Sequence, residues 1–141
     1  AEPYNGLFEH FNIKDKVTFK GALSRKEVAI EMNNCDAFVL ASNYETFGVV
    51  YVEALACGKP IIGTKNGGAE YIINSKNGLI VDKKDEEDLK EALSYLKENI
   101  NKYNSENIKE DCKKKYSKKV IANKIIKEYK ELLAGKDKNG I

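Results

Sequence analysis

The chain is predicted to be an α/β protein built on a parallel sheet with flanking helices. Three observations carry this reading: short apolar runs alternate with helical patterns, the runs are continuous rather than alternating with polar residues, and glycine or proline punctuates the junctions. A strand covered by helices on both faces reads as an unbroken apolar run, and strands that alternate with helices assemble into parallel sheets through crossovers. Ligands of such sheets bind outside the carboxyl ends of the strands.

Val17-Thr18-Phe19-Lys20-Gly21 is a β-rich run ended by glycine, and Ser24 then caps a helical pattern in which Val28, Ala29 and Met32 recur. Ala37-Phe38-Val39-Leu40-Ala41 is the next strand, expected to be buried on both faces, and a polar stretch from Ser42 to Glu45 follows it. The pattern from Thr46 to Cys57 is helical, closed by Gly58 and Pro60, after which Pro60-Ile61-Ile62-Gly63-Thr64 is a further buried strand. Asn66-Gly67-Gly68 is a turn into a short helix from Glu70 to Ile73, and Gly78-Leu79-Ile80-Val81 is the last strand. Asp85 caps the next helix, whose first turn carries Glu86, Glu87 and Asp88 where the helix dipole favours acid, and whose buried stripe is Leu89, Ala92, Leu93 and Leu96. Helical segments from Asn104 to Tyr116 and from Ser117 to Leu133 finish the pattern. Gly135 to Ile141 lacks apolar periodicity and is expected to be a loose tail, which leaves residues 1–134 as one domain. The alternation makes the sheet Rossmann-like, and the candidate site is the set of loops after Gly21, Ala41 and Thr64.

With 42% hydrophobic and 33% charged residues the chain has enough apolar material for a core, and no apolar run reaches bilayer length. Its 24 basic and 22 acidic residues are dispersed, so no basic patch points to nucleic acid. Cys35, Cys57 and Cys112 are odd in number and lack zinc or redox spacing, which argues against a disulfide framework and for a reducing, cytoplasmic setting. His10 has no nucleophile beside it and reads as a surface helix residue. Asp82-Lys83-Lys84-Asp85 fits a strand-to-helix loop better than a metal clamp, and no metal site is expected. Tyr95, Tyr103, Tyr116 and Tyr129 read as core and rim of the last helices.

The informative junction is Glu45-Thr46-Phe47-Gly48-Val49-Val50-Tyr51-Val52-Glu53, two carboxylates with seven residues between them after a buried strand. Amides near Phe47, Gly48 and Val49 would open the helix unpaired, a setting that suits an anion, and Gly48 lets a ligand approach the backbone. With most of the interval helical, the carboxylates would lie roughly 10–12 Å apart along the axis. That order of groups matches a sugar diphosphonucleoside: Glu53 suits the vicinal ribose hydroxyls and Glu45 the hydroxyls of the transferred sugar. On spacing alone, Glu45 as a first-turn acid and Glu53 as a solvated helix residue is an equal reading.

The whole stretch, Asp36 to Ser42, Glu45-x-Phe47-Gly48, Glu53-Ala54-Leu55-Ala56-x-Gly58-x-Pro60-Ile61-Ile62 and Gly67-Gly68-x-Glu70-Tyr71-Ile72, resembles the retaining glycosyltransferases of family 4. The resemblance runs from about Val17 to Val81. It implies the C-terminal, donor-binding domain of the two-domain GT-B arrangement, a nucleotide-diphosphate sugar of the UDP, GDP or ADP type as donor, no cofactor and no metal. Glu45 would be the catalytic-site carboxylate on the donor sugar. Thr46, Phe47, Gly48 and Val49 would lie beside sugar and diphosphate, Glu53 would hold the ribose, and Gly21, Ala22 and Leu23 would flank the nucleobase. Gly67 and Gly68 would border the cleft, although a plain turn is an equal reading of that pair.

The pattern of the family opens with two strands and a helix that carry a Gly-Arg and a following Lys, and these are missing. Lys20, Arg25 and Lys65 are not obvious substitutes for cations that neutralise a departing diphosphate. The chain is therefore expected to be an incomplete domain, inactive alone, its sheet open between the strands at Val17 and Ala37 and its partner a missing N-terminal domain or another chain. The acceptor would be a saccharide or lipid-linked, the protein cytoplasmic or peripheral to the inner membrane face. A non-catalytic sugar-nucleotide-binding module, or a partner subunit of a two-chain transferase, is the alternative.

Overall fold

The computed structural model describes residues 4–136. Its elements are α1 (Asn5–His10), α2 (Arg25–Asn34), β1 (Phe38–Leu40), α3 (Val49–Ala56), β2 (Ile61–Thr64), α4 (Ala69–Ile72), β3 (Gly78–Val81), α5 (Glu86–Glu98), α6 (Ser105–Tyr116) and α7 (Lys118–Lys136), with single 3-10 turns at Lys14–Lys16 and Ile100–Lys102. The three strands are parallel in the order β1-β2-β3, with Phe38 opposite Ile61 and Ile61 opposite Gly78. The predicted α/β class and the parallel sheet with flanking helices are what the structure has.

Consecutive residues of a strand point to opposite faces, and the two isoleucines of β2 divide the core accordingly. Ile61 packs with Met32, Tyr51, Leu55, Ile72 and Ile108, the side that carries α2, α3 and α6. Ile62 packs with Val81, Ala92 and Leu96, the side that carries α5. Both are fully buried. Side-chain caps start three of the helices. Ser24 and Glu27 form a reciprocal capping box on α2, Asp85 accepts from the Asp88 amide on α5, and Asn104 accepts from the Asn107 amide on α6.

Several expectations change, among them the buried stripe of α5, where Leu93 is exposed. Val17-Thr18-Phe19-Lys20-Gly21 forms no strand. Val17 is extended and Phe19 half-exposed, packed on Phe8 at 5.4 Å between ring centroids, and among the described residues no strand lies beside this segment to complete a ladder. Val39 is 39% exposed rather than buried on both faces, because β1 is the edge of the sheet. The helix expected from Thr46 begins only at Val49, because Gly48 takes a left-handed φ of 78° that a helix does not accommodate. Helix α7 continues to Lys136, through the first residues of the expected tail, and residues 137–141 lie outside the described residues. Of the four tyrosines read as core and rim, Tyr103 and Tyr116 pack against the core, whereas Tyr129 on α7 is 64% exposed.

Burial raises the phenols of Tyr51, Tyr103 and Tyr116 and the thiols of Cys57 and Cys112 above their ordinary values. Each is an acid held neutral by the fold. Its folded pKa exceeds its unfolded one, so the contribution is fully present below the unfolded value, about 8.5 for a thiol and about 10 for a phenol, and is lost as pH rises through the folded value. The melting temperature is expected to fall as pH climbs above about 9. Melts followed by circular dichroism from pH 7 to 11 check this, and a flat profile would contradict it.

Candidate functional site

The loop from Ser42 to Gly48 leaves the carboxyl end of β1 and delivers Glu45, Thr46 and Phe47 to the start of α3. Glu45 is half-buried, Thr46 and Phe47 are exposed, and Gly48 is buried at the N-cap position. An added Cβ on Gly48 would overlap Cδ2 of Tyr51 and lie 2.7 Å from its Cε2, so Gly48 is required by both its φ and its neighbour. Because the N-cap is a glycine, α3 has no side-chain cap, unlike α2, α5 and α6. The Tyr51 amide bonds the Gly48 carbonyl at 2.9 Å, while the amides of Gly48, Val49 and Val50 find no backbone acceptor among the described residues. Val49 itself is 62% exposed. Open first-turn donors at a helix start form a setting for an anion.

The turn after β2 closes on this loop. The Glu45 amide donates to the Asn66 carbonyl at 3.0 Å. A Cβ on Gly67, whose φ is 100°, would stand 3.1 Å from the Glu45 carbonyl oxygen, and one on Gly68 would stand 2.7 Å from the carbonyl of Phe47. Gly67 and Gly68 are therefore where two backbones touch, a closer approach than a plain turn requires. The Glu70 carboxylate accepts from the Gly67 amide at 3.0 Å.

Glu53 lies one turn along α3 from Val49 and is exposed. It lines a cavity of about 310 Å³ with Leu23, Arg25, Val28, Met32 and Cys57, formed between α2 and α3. Leu23 is thus brought to Glu53 across about thirty residues of sequence, whereas Gly21, with φ 66°, and Ala22 are exposed on the approach to α2 and do not line the cavity. Because α3 starts at Val49, only part of the Glu45-to-Glu53 interval is helical, and the axial spacing expected for a continuous helix does not apply. A larger groove of about 450 Å³ lies between α6 and the loop from α4 to β3. That groove is at the amino end of β3, away from the carboxyl ends where ligands of parallel sheets bind, and none of the residues expected to hold the donor lines it.

Of Lys20, Arg25 and Lys65, two are paired with carboxylates. Lys20 pairs with Glu31 at 3.1 Å. Lys65 pairs with Asp82, whose hydrogen bond and charge hold its ammonium above the usual lysine value. Arg25 is part of the cavity wall beside Glu53. His10 ends α1 and is exposed, its ring 4.9 Å from that of Phe11. Asp85 caps α5, and among the described residues no group of three or more His, Cys, Asp or Glu could hold a metal ion. The three cysteines are free. No helix among the described residues is long and apolar enough to cross a membrane.

Two residues of the site went unrecognised in the sequence. Asn66 reads there only as a turn residue and Tyr51 only as part of an apolar helix. The available signal was the hydroxyl of a tyrosine inside a buried helix face, which must find a partner.

The family model described as Glycosyl transferases group 1 matches residues 2–128. An uncharacterised glycosyltransferase of Methanocaldococcus jannaschii is 39% identical over 130 residues, 88% of this chain and 37% of the relative. A probable sucrose-phosphate synthase of Thermosipho melanesiensis is 37% identical over 116 residues, 73% of this chain and 27% of the relative. Among solved structures, sucrose-phosphate synthase from Thermosynechococcus elongatus superposes with a TM-score of 0.81 at 28% identity, covering 95% of this chain and 34% of that one. An Anabaena protein solved with UDP and glucose superposes with a TM-score of 0.80 at 22% identity, over 92% of this chain and 36% of that one, a likeness of fold. The chain thus spans about a third of the length of the proteins it matches. With a family model covering most of its residues, this chain belongs to the group 1 glycosyl transferases.

Proposed function

We propose that this chain is the donor-binding unit of a retaining glycosyltransferase of family 4, taking a nucleotide-diphosphate sugar of the UDP, GDP or ADP type. The observation that carries the reading is the uncapped start of α3, its open amides lying between Glu45 on one side and the Leu23–Glu53 cavity on the other. In this reading the diphosphate sits on the amides of Gly48 and Val49 with Thr46 and Phe47 beside it, and no metal or cofactor takes part. Glu53 accepts the ribose hydroxyls, Leu23 borders the base with Gly21 and Ala22 at its approach, and Glu45 orients the donor sugar near Gly67 and Gly68. Transfer is a front-face displacement that uses no protein nucleophile.

The acceptor, a saccharide or lipid-linked, is held by a second domain or a partner chain, and residues 1–134 act as the donor half in the cytoplasm or at the inner membrane face. One observation favours a chain that binds without turning over: Lys20 and Lys65 pair with carboxylates and Arg25 lines the nucleoside cavity, so none of these three cations is set on the diphosphate. A non-catalytic sugar-nucleotide-binding module is the second reading, and transfer measured with and without the remaining domain separates the two.

Calorimetric titration with UDP, GDP, ADP and their sugar conjugates tests donor binding. One nucleotide series is expected to bind, and Glu53→Ala to weaken it by about ten- to hundredfold, the loss of a charged hydrogen bond. No binding at millimolar concentration, or an unchanged affinity in Glu53→Ala, would overturn the reading.

A further inference from the structure

Asn66, the most deeply buried polar side chain beside the candidate site, takes part in no binding step above. It is 1% exposed, and its amide uses every hydrogen-bonding position it has. Oδ1 accepts from the amides of Gly68 at 3.1 Å and Ala69 at 3.0 Å. Nδ2 donates to the Ser42 hydroxyl at 3.0 Å and to the Tyr51 hydroxyl at 2.8 Å. The Tyr51 hydroxyl in turn donates to the Leu40 carbonyl at 3.4 Å. Backbone amides can only donate, so the oxygen must face Gly68 and Ala69, and flipping the group would set N–H against N–H in a buried place. The side chain has one orientation.

Its partners lie on three separate pieces of chain: the loop leaving β1, the first turn of α3, and the start of α4. The main chain of Asn66 holds the same loop again, its carbonyl accepting from the Glu45 amide. Gly67 and Gly68, whose positions follow from Asn66, press directly on the backbone of Glu45 and Phe47. Among the described residues the hydrogen bonds of Asn66 do not reach Leu23 or Glu53.

We infer that Asn66, held by Tyr51, is a positioning residue that sets the Glu45–Phe47 loop against the start of α3, so that it governs recognition of the sugar end of the donor and not of the nucleoside end. The inference rests on the donor-site reading and deepens it. Because the Asn66 side chain holds the loop at Ser42 and its main chain holds it at Glu45, while Glu53 lies further along α3, loosening Asn66 displaces the sugar-facing Glu45 and leaves the nucleoside cavity in place.

The experiment is a set of paired titrations, UDP with UDP-glucose, GDP with GDP-mannose and ADP with ADP-glucose, on the unaltered chain, Asn66→Ala and Tyr51→Phe. In Tyr51→Phe the affinity for the sugar nucleotide is expected to fall about three- to tenfold, with the matching diphosphate changed by less than about twofold, and Asn66→Ala is expected to widen the split. A parallel loss for both ligands, or an unchanged sugar-nucleotide affinity in a folded Tyr51→Phe, overturns the positioning role while the donor site stands. Failure of the unaltered chain to bind any of the six ligands overturns the donor reading and the positioning role with it. Should Asn66→Ala fail to fold, Tyr51→Phe decides, since it removes one oxygen atom and keeps the ring in its packing.

Discussion

Replacing Tyr51 by alanine is expected to destabilise the fold by about 3–5 kcal/mol, the range for emptying a buried aromatic site. Tyr51 has no exposed surface and stands at the crossing of α3 with the sheet, its ring 6.3 Å from that of Phe38 in an edge-to-face arrangement. Gly48 and Gly63 both give it room: an added Cβ at either would run into its ring or hydroxyl. Alanine would remove the ring from between them and take a partner from Asn66, and an unsatisfied buried donor adds about 1–3 kcal/mol. Against a total stability of about 5–15 kcal/mol for an ordinary domain, such a loss removes about a fifth of it at the least. Urea unfolding of Tyr51→Ala beside Tyr51→Phe checks this. The phenylalanine variant keeps the ring and is expected to lose about 1–3 kcal/mol, the cost of leaving the Asn66 donor without its partner, and equal losses in the two variants would show that the ring is not the source.

The second large effect is expected at Gly78. This residue opens β3 opposite Ile61, and a Cβ there would overlap the Ile61 carbonyl oxygen and sit 3.0 Å from both its carbonyl carbon and its nitrogen. Those are backbone atoms of the central strand, which cannot turn aside as a side chain can. To admit a methyl group β2 and β3 must part where Ile61 and Ile62 feed the two halves of the core. Gly78→Ala is expected to cost about 3 kcal/mol, the upper part of the range for overpacking, and to lower the melting temperature by about 10 °C. Gly6→Ala is the matching control, since nothing lies within 4 Å of its added Cβ. Similar melts for the two variants would mean that β3 yields to the methyl group without disturbing β2.

Much of the architecture was legible along the chain. The three strands at Phe38, Ile61 and Gly78 and the helices between them follow from apolar period and punctuation, because short apolar runs bounded by turn residues are too short for helices of their own. Ser24, Asp85 and Asn104 mark the starts of α2, α5 and α6, since a cap is a local bond between residues three apart. The run at Val17 had the same local signals and formed no strand, because a strand exists only by pairing with another and pairing is not a local property.

The candidate site divides in the same way. By itself the sequence determined the order of groups from Glu45 through Gly48 to Glu53, since these lie on one continuous stretch of chain. It also determined that a helix begins within it, although Gly48 delayed that start to Val49. Only the tertiary structure decided that Leu23 meets Glu53 on one cavity, that Gly67 and Gly68 press on the backbone of Glu45 and Phe47, and that Asn66 joins Ser42, Tyr51 and the start of α4. The physical reason is separation along the chain. A cap, a turn or a helical stripe is fixed by neighbours a few residues away, whereas Asn66 bonds Ser42 across twenty-four positions, and that distance closes only when β1 and β2 pair and bring their carboxyl ends together.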